Sequence, residues 1–257
     1  MDEKKLPLTS HLQELRKRLI LSFIAIGVGF ALCYAFADSI FNVLAAPLLT
    51  VMPKGGSLIF ISVAEAFFTY MKVAFIASVI LTSPFILYQI WAFVAPGLYQ
   101  KEKKYVIPFV AGGSLFFALG VLFGYFVAIP FGFKFLLGYA TDFIKPMPSM
   151  KEYLSFSIKF LLAFGLVFEF PVVLVLLAKI GIIDAKMLAR QRKYAILLIF
   201  VFAAVMTPPD IISQVLMALP LMGLYELSIF LSRIFGKKSR SVPSESSGDE
   251  VEPSALH

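Results

Sequence analysis

An all-α polytopic membrane protein is predicted, on three observations. The chain of 257 residues is 60% hydrophobic and 15% charged, whereas soluble domains carry about a quarter charged residues. Its mean hydropathy is +0.88. Its apolar residues gather into six runs, at 19–37, 66–93, 106–129, 153–178, 194–206 and 211–231, which compare with the ~20 residues a helix needs to cross a bilayer. Each run is read as a span, giving one membrane domain over 1–236 and a tail over 237–257.

Basic residues order the connections. The leader carries Lys4, Lys5, Arg16, Lys17 and Arg18, and the second connection carries Lys101, Lys103 and Lys104. The fourth connection carries Lys179, Lys186, Arg190, Arg192 and Lys193, and the tail carries Arg233, Lys237, Lys238 and Arg240. Together they hold 17 of the 23 basic residues. By the positive-inside rule these segments, and both termini, face the cytoplasm. Anchoring to the membrane accounts for the net charge of +7, so nucleic acid is not a predicted partner.

Residues 1–18 predict the start of an amphipathic helix. Ser10 and Gln13 stand at capping-box spacing, and Leu12, Leu15 and Leu19 fall on one face. Glu14, four residues before Arg18, suits either an intrahelical ion pair or a binding role. Ala35-Phe36-Ala37 has the look of a cleavage site, but the run is long and its leader holds Asp2, Glu3 and Glu14, so a retained span is expected. Between 38 and 61 the chain begins amphipathically and is interrupted by Pro47, Pro53 and Gly55-Gly56, which predicts short interfacial helices and turns. Glu65 has capping-box spacing from Ser62 and is read as structural.

The segment 83–104 is the most informative. It holds the only Trp, Trp91, among aromatics expected at the lipid headgroups, then the elbow Ala95-Pro96-Gly97, then one carboxylate, Glu102, among three lysines. In the third run Gly120, Gly124 and Ala128 recur at four-residue intervals, which lets helices approach closely. A second external cap, broken by Pro146 and Pro148, is expected over 131–152. Glu169 lies deep in the fourth run between Phe168 and Phe170, with Pro171 removing an amide that would bond the carbonyl of Val167. An acid there costs about 2.5–3.5 kcal/mol on insertion scales. It requires either a bonded neighbour helix or a polar cavity. The fifth run has 13 residues, about 20 Å of helix, and the sixth is interrupted by Gln214 and Pro220. Beyond Gly236 the chain is acidic and rich in Ser and Pro, which predicts disorder.

Phosphate-loop, His-Glu-x-x-His and Gly-x-Ser-x-Gly motifs are missing from the sequence, so no enzyme and no cofactor is predicted. Cys33 is the only cysteine, and His11 and His257 are the only histidines, which argues against a metal site. Cys33 is expected to be a buried, inert thiol.

Five motifs, in order, carry a resemblance. They are His11-Leu12-Gln13-Glu14-Leu15-Arg16-Lys17-Arg18-Leu19, Ala46-Pro47-Leu48, the segment 83–102, Phe168-Glu169-Phe170-Pro171 and Thr207-Pro208-Pro209-Asp210. Over residues 8–235 the chain resembles the TatC family of the twin-arginine (Sec-independent) protein translocase. The resemblance implies six helices in a cupped, glove-like arrangement in the bacterial cytoplasmic (inner) membrane. It implies a receptor for the twin-arginine signal peptides of folded cargo proteins, driven by the proton-motive force. In that family the receptor is organised with the small single-span translocase subunits, TatA and TatB, in an oligomeric complex. Carried onto this chain, the signal-peptide site is Glu14, Arg16, Phe93, Pro96, Tyr99 and Glu102, and Glu169 is the polar residue of the concave face. Pro47 and Asp210 match sensitive turns, and Thr207 and Gln214 match contacts to the small subunits. Around Glu102 the chain reads Gln100-Lys101-Glu102-Lys103, where relatives often have His or Arg beside the acid. A competing expectation from the residues alone is a proton-coupled small-solute transporter that uses Glu169, although the internal repeat usual in transporters is not evident.

Overall fold

The first helix, α1 (Leu8–Ala35), is 28 residues of apolar and helix-favouring sequence and sets the frame for the rest. The structure, a computed structural model, describes residues 8–52, 58–94, 106–139, 146–207 and 211–236. Helix is already formed at Leu8, so Ser10 lies inside the first turn and not at the N-cap. Leu12, Leu15 and Leu19 point outward. The polar positions of the same turns face a neighbouring helix, the arrangement suited to a lipid surround.

After a break at Phe36 the chain turns into α2 (Ala37–Val51). Contrary to the expected interruption, α2 runs straight through Pro47. Proline cannot bond the carbonyl four residues back, and here that carbonyl, of Val43, accepts the Tyr125 hydroxyl at 2.7 Å. Leu44 O accepts the Tyr153 hydroxyl at 2.5 Å. The Tyr125 hydroxyl therefore satisfies the mid-helix carbonyl that Pro47 leaves free, and the helix continues.

Helix α3 (Val63–Val94) packs antiparallel along α1. Gly29 permits the close approach, because a Cβ there would stand 3.0 Å from Thr82 Cγ2. Within α3, Pro84 deprives the Ile80 carbonyl of an amide, and the Ser83 hydroxyl donates to it at 2.7 Å. Next come α4 (Val106–Phe123), a π-helical turn (Gly124–Ala128) and α5 (Ile129–Leu137). Then α6 (Met150–Phe168) and α7 (Phe170–Lys179) are separated by a pinch at Glu169. A short α8 (Ala185–Arg190), capped by Asp184 through the Met187 amide, leads into α9 (Arg192–Met206) and α10 (Ile211–Phe235).

The small residues of α4 and α6 pack as the sequence predicts. A Cβ on Gly120 would run into the Phe164 carbonyl oxygen. On α6, a Cβ on Gly165 would meet the Phe117 ring at 2.7 Å. Around this contact lies the main core, with Tyr153, Phe164, Leu48, Ile129, Leu154 and Leu161 fully buried. Cys33 is buried with Ala37 and Ala74.

At one end of the helices the segment before α3 is joined to the segment before α6. Ile59 and Ser149 form a parallel bridge, with Met150 N donating to Ile59 O at 2.8 Å and Ile59 N to Pro148 O at 3.2 Å. Glu65 holds the junction. Its Oε2 accepts from the amides of Ile61 (2.8 Å) and Ser62 (3.4 Å), and its Oε1 from Ser149 Oγ (2.7 Å) and Lys151 N (3.0 Å). The structural role expected of Glu65 thus extends well beyond its own helix.

Among the described residues five segments are long and apolar enough to cross a membrane: Thr9–Ala35, Ala64–Val94, Ile107–Leu137, Met150–Lys179 and Met217–Phe235. The fifth apolar run of the sequence forms α9, whose 15 residues measure about 22 Å, less than the ~30 Å hydrocarbon core. Two expectations are corrected. Helix α10 is continuous through Gln214 and Pro220 and not interrupted there. Trp91, expected at the headgroups, is buried with Val172 and Leu176 and stacks on Phe109 at 5.5 Å, because α4 and α7 close over that face of α3.

Candidate functional site

At the end of the molecule opposite the Glu65 junction, the first turns of α1 meet the last turns of α3. Residues 11, 14 and 18 are spaced three and four apart, which places them on one face of α1. Residues 89 and 93 do the same on α3. The His11 ring stacks on Phe93, with centroids 4.3 Å apart and planes at 20°. Arg18 Nη2 donates to Glu14 Oε1 at 3.2 Å, and Arg18 Nη1 donates to Gln89 Oε1 at 3.1 Å. Gln89 is 4% exposed, a polar amide turned into the helix interface. Arg18 Nε is buried and has no hydrogen-bond partner among the described residues. Arg16 is exposed on the other side of α1.

Of the two readings open for Glu14, the ion pair with Arg18 is present, and it engages one carboxylate oxygen of Glu14. Phe93 lies at the same end through His11. Pro96, Tyr99 and Glu102 lie outside the described residues, as does Asp210. Sequence reasoning misses Gln89 as the partner of Arg18. A glutamine inside the apolar segment 83–99 is the available signal, since a buried amide requires a hydrogen bond.

Glu169 forms the pinch between α6 and α7, its amide bonding the Leu166 carbonyl at 3.1 Å. It is 8% exposed and is turned towards α4. A Cβ on Gly113 would lie 2.9 Å from Glu169 Oε2, so glycine makes room for the carboxyl. Oε1 is buried without a hydrogen-bond partner among the described residues. Pro47 is buried within α2 and belongs to the Tyr125 and Tyr153 contacts.

The last two helices form a hairpin. Thr207 Oγ1 donates to the Ala203 carbonyl at 2.9 Å and Gln214 Nε2 to the Phe200 carbonyl at 3.1 Å. At the other end of the hairpin Arg192 forks onto Glu226, Nε to Oε1 at 2.7 Å and Nη2 to Oε2 at 2.8 Å. Helix α10 packs on α7, and an apolar groove of about 650 Å³ lies between α9 and the α6–α7 pair, lined by Leu166, Phe170, Leu198, Phe202 and, on α10, Leu224. Among the described residues no group of acidic, His or Cys side chains could hold a metal ion.

Helices among the described residues, five segments of them long and apolar enough to cross a membrane, with apolar outer faces and a polar contact where α1 meets α3, define a multi-pass membrane protein. The family model described as Sec-independent protein translocase protein (TatC) matches residues 10–220. The chain is 52% identical over 240 residues to the Sec-independent protein translocase protein TatC of Desulforapulum autotrophicum, covering 93% of this chain and 89% of that one. It is 42% identical over 235 residues to the protein of that name from Escherichia coli (strain K12), covering 91% of each. A crystal structure of a twin arginine translocase receptor, TatC, superposes with a TM-score of 0.76 at 45% identity, covering 87% of this chain and 98% of that one. The chain belongs to the Sec-independent protein translocase TatC family.

Proposed function

We propose that this protein is the receptor component of a twin-arginine export system and binds its signal peptides at the basic end of α1 and α3. The observation that carries the reading is the set Glu14, Arg18, Gln89, His11 and Phe93, held together there in a chain 45% identical to a solved twin arginine translocase receptor. Pro96 follows Phe93 by three residues in sequence, and Glu102 by nine. The paired arginines of the signal are bound by Glu102 and Glu14, since carboxylates accept guanidinium groups bidentately and lysine lacks that fork. Arg16, Pro96 and Tyr99 complete the site.

In this reading the chain is N-in and C-in with six spans in a cupped arrangement. The short α9 hairpin completes the crossing where the bilayer thins or other helices cover it. The membrane is the bacterial cytoplasmic membrane, residues 237–257 are a solvated cytoplasmic tail, and transport is driven by the proton-motive force. The small single-span subunits dock at the outer rim of α9 and α10, near Thr207 and Gln214, within an oligomeric complex. The apolar groove beside that hairpin and the 78% exposure of Val205 support this. The internal bonds of Thr207 and Gln214 mean that each must share or exchange a hydrogen bond on docking. A small-solute transporter built on Glu169 is not favoured by the family.

The test is a photocrosslinker at Phe93, challenged with twin-arginine and twin-lysine signal peptides in membranes. Selective capture of the twin-arginine peptide is expected. Equal capture of both, or of neither, would remove the site from α3. A crosslinker at Val205 should capture a small single-span partner, and its failure in intact complexes would move docking to another helix.

A further inference from the structure

Glu14 is not a vacant carboxylate. Its Oε1 already accepts an arginine, Arg18, in a single-point contact of 3.2 Å, at the long end of the hydrogen-bond range. Both side chains are 28% exposed, so the contact is open to exchange. Pairs of this kind on helix surfaces shift equilibria by only about twofold. The Arg18 guanidinium has a second anchor, Gln89 on α3, at 3.1 Å, and its Nε is buried with no partner among the described residues. It can therefore leave Glu14 and remain fixed at the helix interface.

We propose that Arg18 is the resident occupant of the Glu14 carboxylate and a specificity-determining residue, displaced by an incoming guanidinium and not by an incoming ammonium. This rests on Glu14 being part of the signal-peptide site. A peptide arginine that takes both oxygens of Glu14 replaces one long bond by two charge-assisted ones, while Arg18 withdraws onto Gln89. A lysine offers a point charge. It takes one oxygen and leaves Arg18 on the other, so that two cations stand side by side at one carboxylate. The resident arginine thus sets a threshold that favours fork-shaped ligands, and it keeps Glu14 oriented when no ligand is bound.

The experiment measures equilibrium binding of fluorescent twin-arginine and twin-lysine signal peptides to the full chain in detergent, with folding followed by thermal melting. Arg18→Gln is expected to bind the twin-arginine peptide about twofold tighter, the weight of the displaced helix pair. It should bind the twin-lysine peptide about threefold tighter, because that ligand leaves Arg18 in place and so loses a like charge worth about threefold at ~6 Å in water. Discrimination therefore falls, and Arg18→Lys, which keeps the charge, should keep most of the penalty on lysine. Gln89→Leu is a second, independent variant. It frees Nη1 to join Nη2 on Glu14, and should weaken twin-arginine binding about twofold without touching either charge. Unchanged discrimination in a folded Arg18→Gln protein, or weaker twin-arginine binding there, overturns the proposal, as does an unaltered Gln89→Leu. Glu14→Gln separates the two levels. If it leaves twin-arginine binding intact, the site itself is misassigned. If it weakens binding while Arg18→Gln changes no ratio, only the role of Arg18 falls.

Discussion

Removing the Glu65 carboxylate should loosen the junction between the segments that precede α3 and α6 without disturbing the opposite end. Glu65 is 8% exposed and accepts from Ile61 N, Ser62 N, Ser149 Oγ and Lys151 N at 2.8, 3.4, 2.7 and 3.0 Å. The 3.4 Å bond from Ser62 is long and weak, which leaves three strong bonds. In Glu65→Gln one end of the amide still accepts. The other end carries N–H groups, which Ser149 can accommodate by turning its hydroxyl and the Lys151 amide cannot. One donor is orphaned, costing about 1–3 kcal/mol. Glu65→Ala loses all three bonds, and partial rehydration at this end holds the cost to roughly 3–5 kcal/mol. Hydrogen exchange in detergent reads this locally. Glu65→Gln should reduce protection of the Lys151 and Met150 amides by roughly 5- to 150-fold, the exponential of that energy. Reactivity of the buried Cys33 thiol during heating reports global opening, and its midpoint should fall further in Glu65→Ala than in Glu65→Gln. Unchanged protection at Lys151 in Glu65→Gln would refute the reasoning, because it would mean that the carboxylate's second oxygen carries no weight.

Tyr125→Phe should cost about 0.5–1.5 kcal/mol, the net worth of its exposed hydrogen bond to the Val43 carbonyl. Pro47→Ala in the same background restores an amide four residues on and should recover part of the loss in melting temperature. Gly120→Val should destabilise the α4–α6 contact by about 1–3 kcal/mol or more, since even a Cβ runs into the Phe164 carbonyl oxygen; a melt equal to wild type would contradict that packing. For orientation, cysteine at Met147, which is 68% exposed, should react with an impermeant thiol reagent from outside, and cysteine at Arg190 only after the cytoplasmic side is opened. Ser149 is a poor reporter because its hydroxyl is bound to Glu65.

Features set by local chemistry are legible in the sequence. The lengths of the apolar runs place α3, α6 with α7, and α10; the glycine spacing places the α4–α6 contact; and the capping-box spacing of Ser62 and Glu65 marks the start of α3. What the sequence hides depends on residues far away along the chain. Pro47 reads as a helix breaker until Tyr125 arrives from 78 positions on to satisfy the carbonyl of Val43. Trp91 reads as an interfacial ring until α4 and α7 cover it. Glu14 is visible as half of an ion pair because its partner is four residues away, whereas Gln89, 71 residues from Arg18, cannot be paired by spacing. The α9 run reads as short, and so it is, but counting it among the spans is a statement about composition, and 15 residues of helix do not reach across by themselves.

The most direct test of the central claim is the binding constant of a twin-arginine signal peptide for the wild type, Glu102→Gln and Glu14→Gln. Each charge-assisted bond to a guanidinium is worth about 1.5–3 kcal/mol, so each substitution should weaken binding by roughly 10- to 150-fold. The twin-lysine peptide, which binds the wild type poorly in this account, should change little. Wild-type affinity for the twin-arginine peptide in both variants, with the fold intact, would contradict the account.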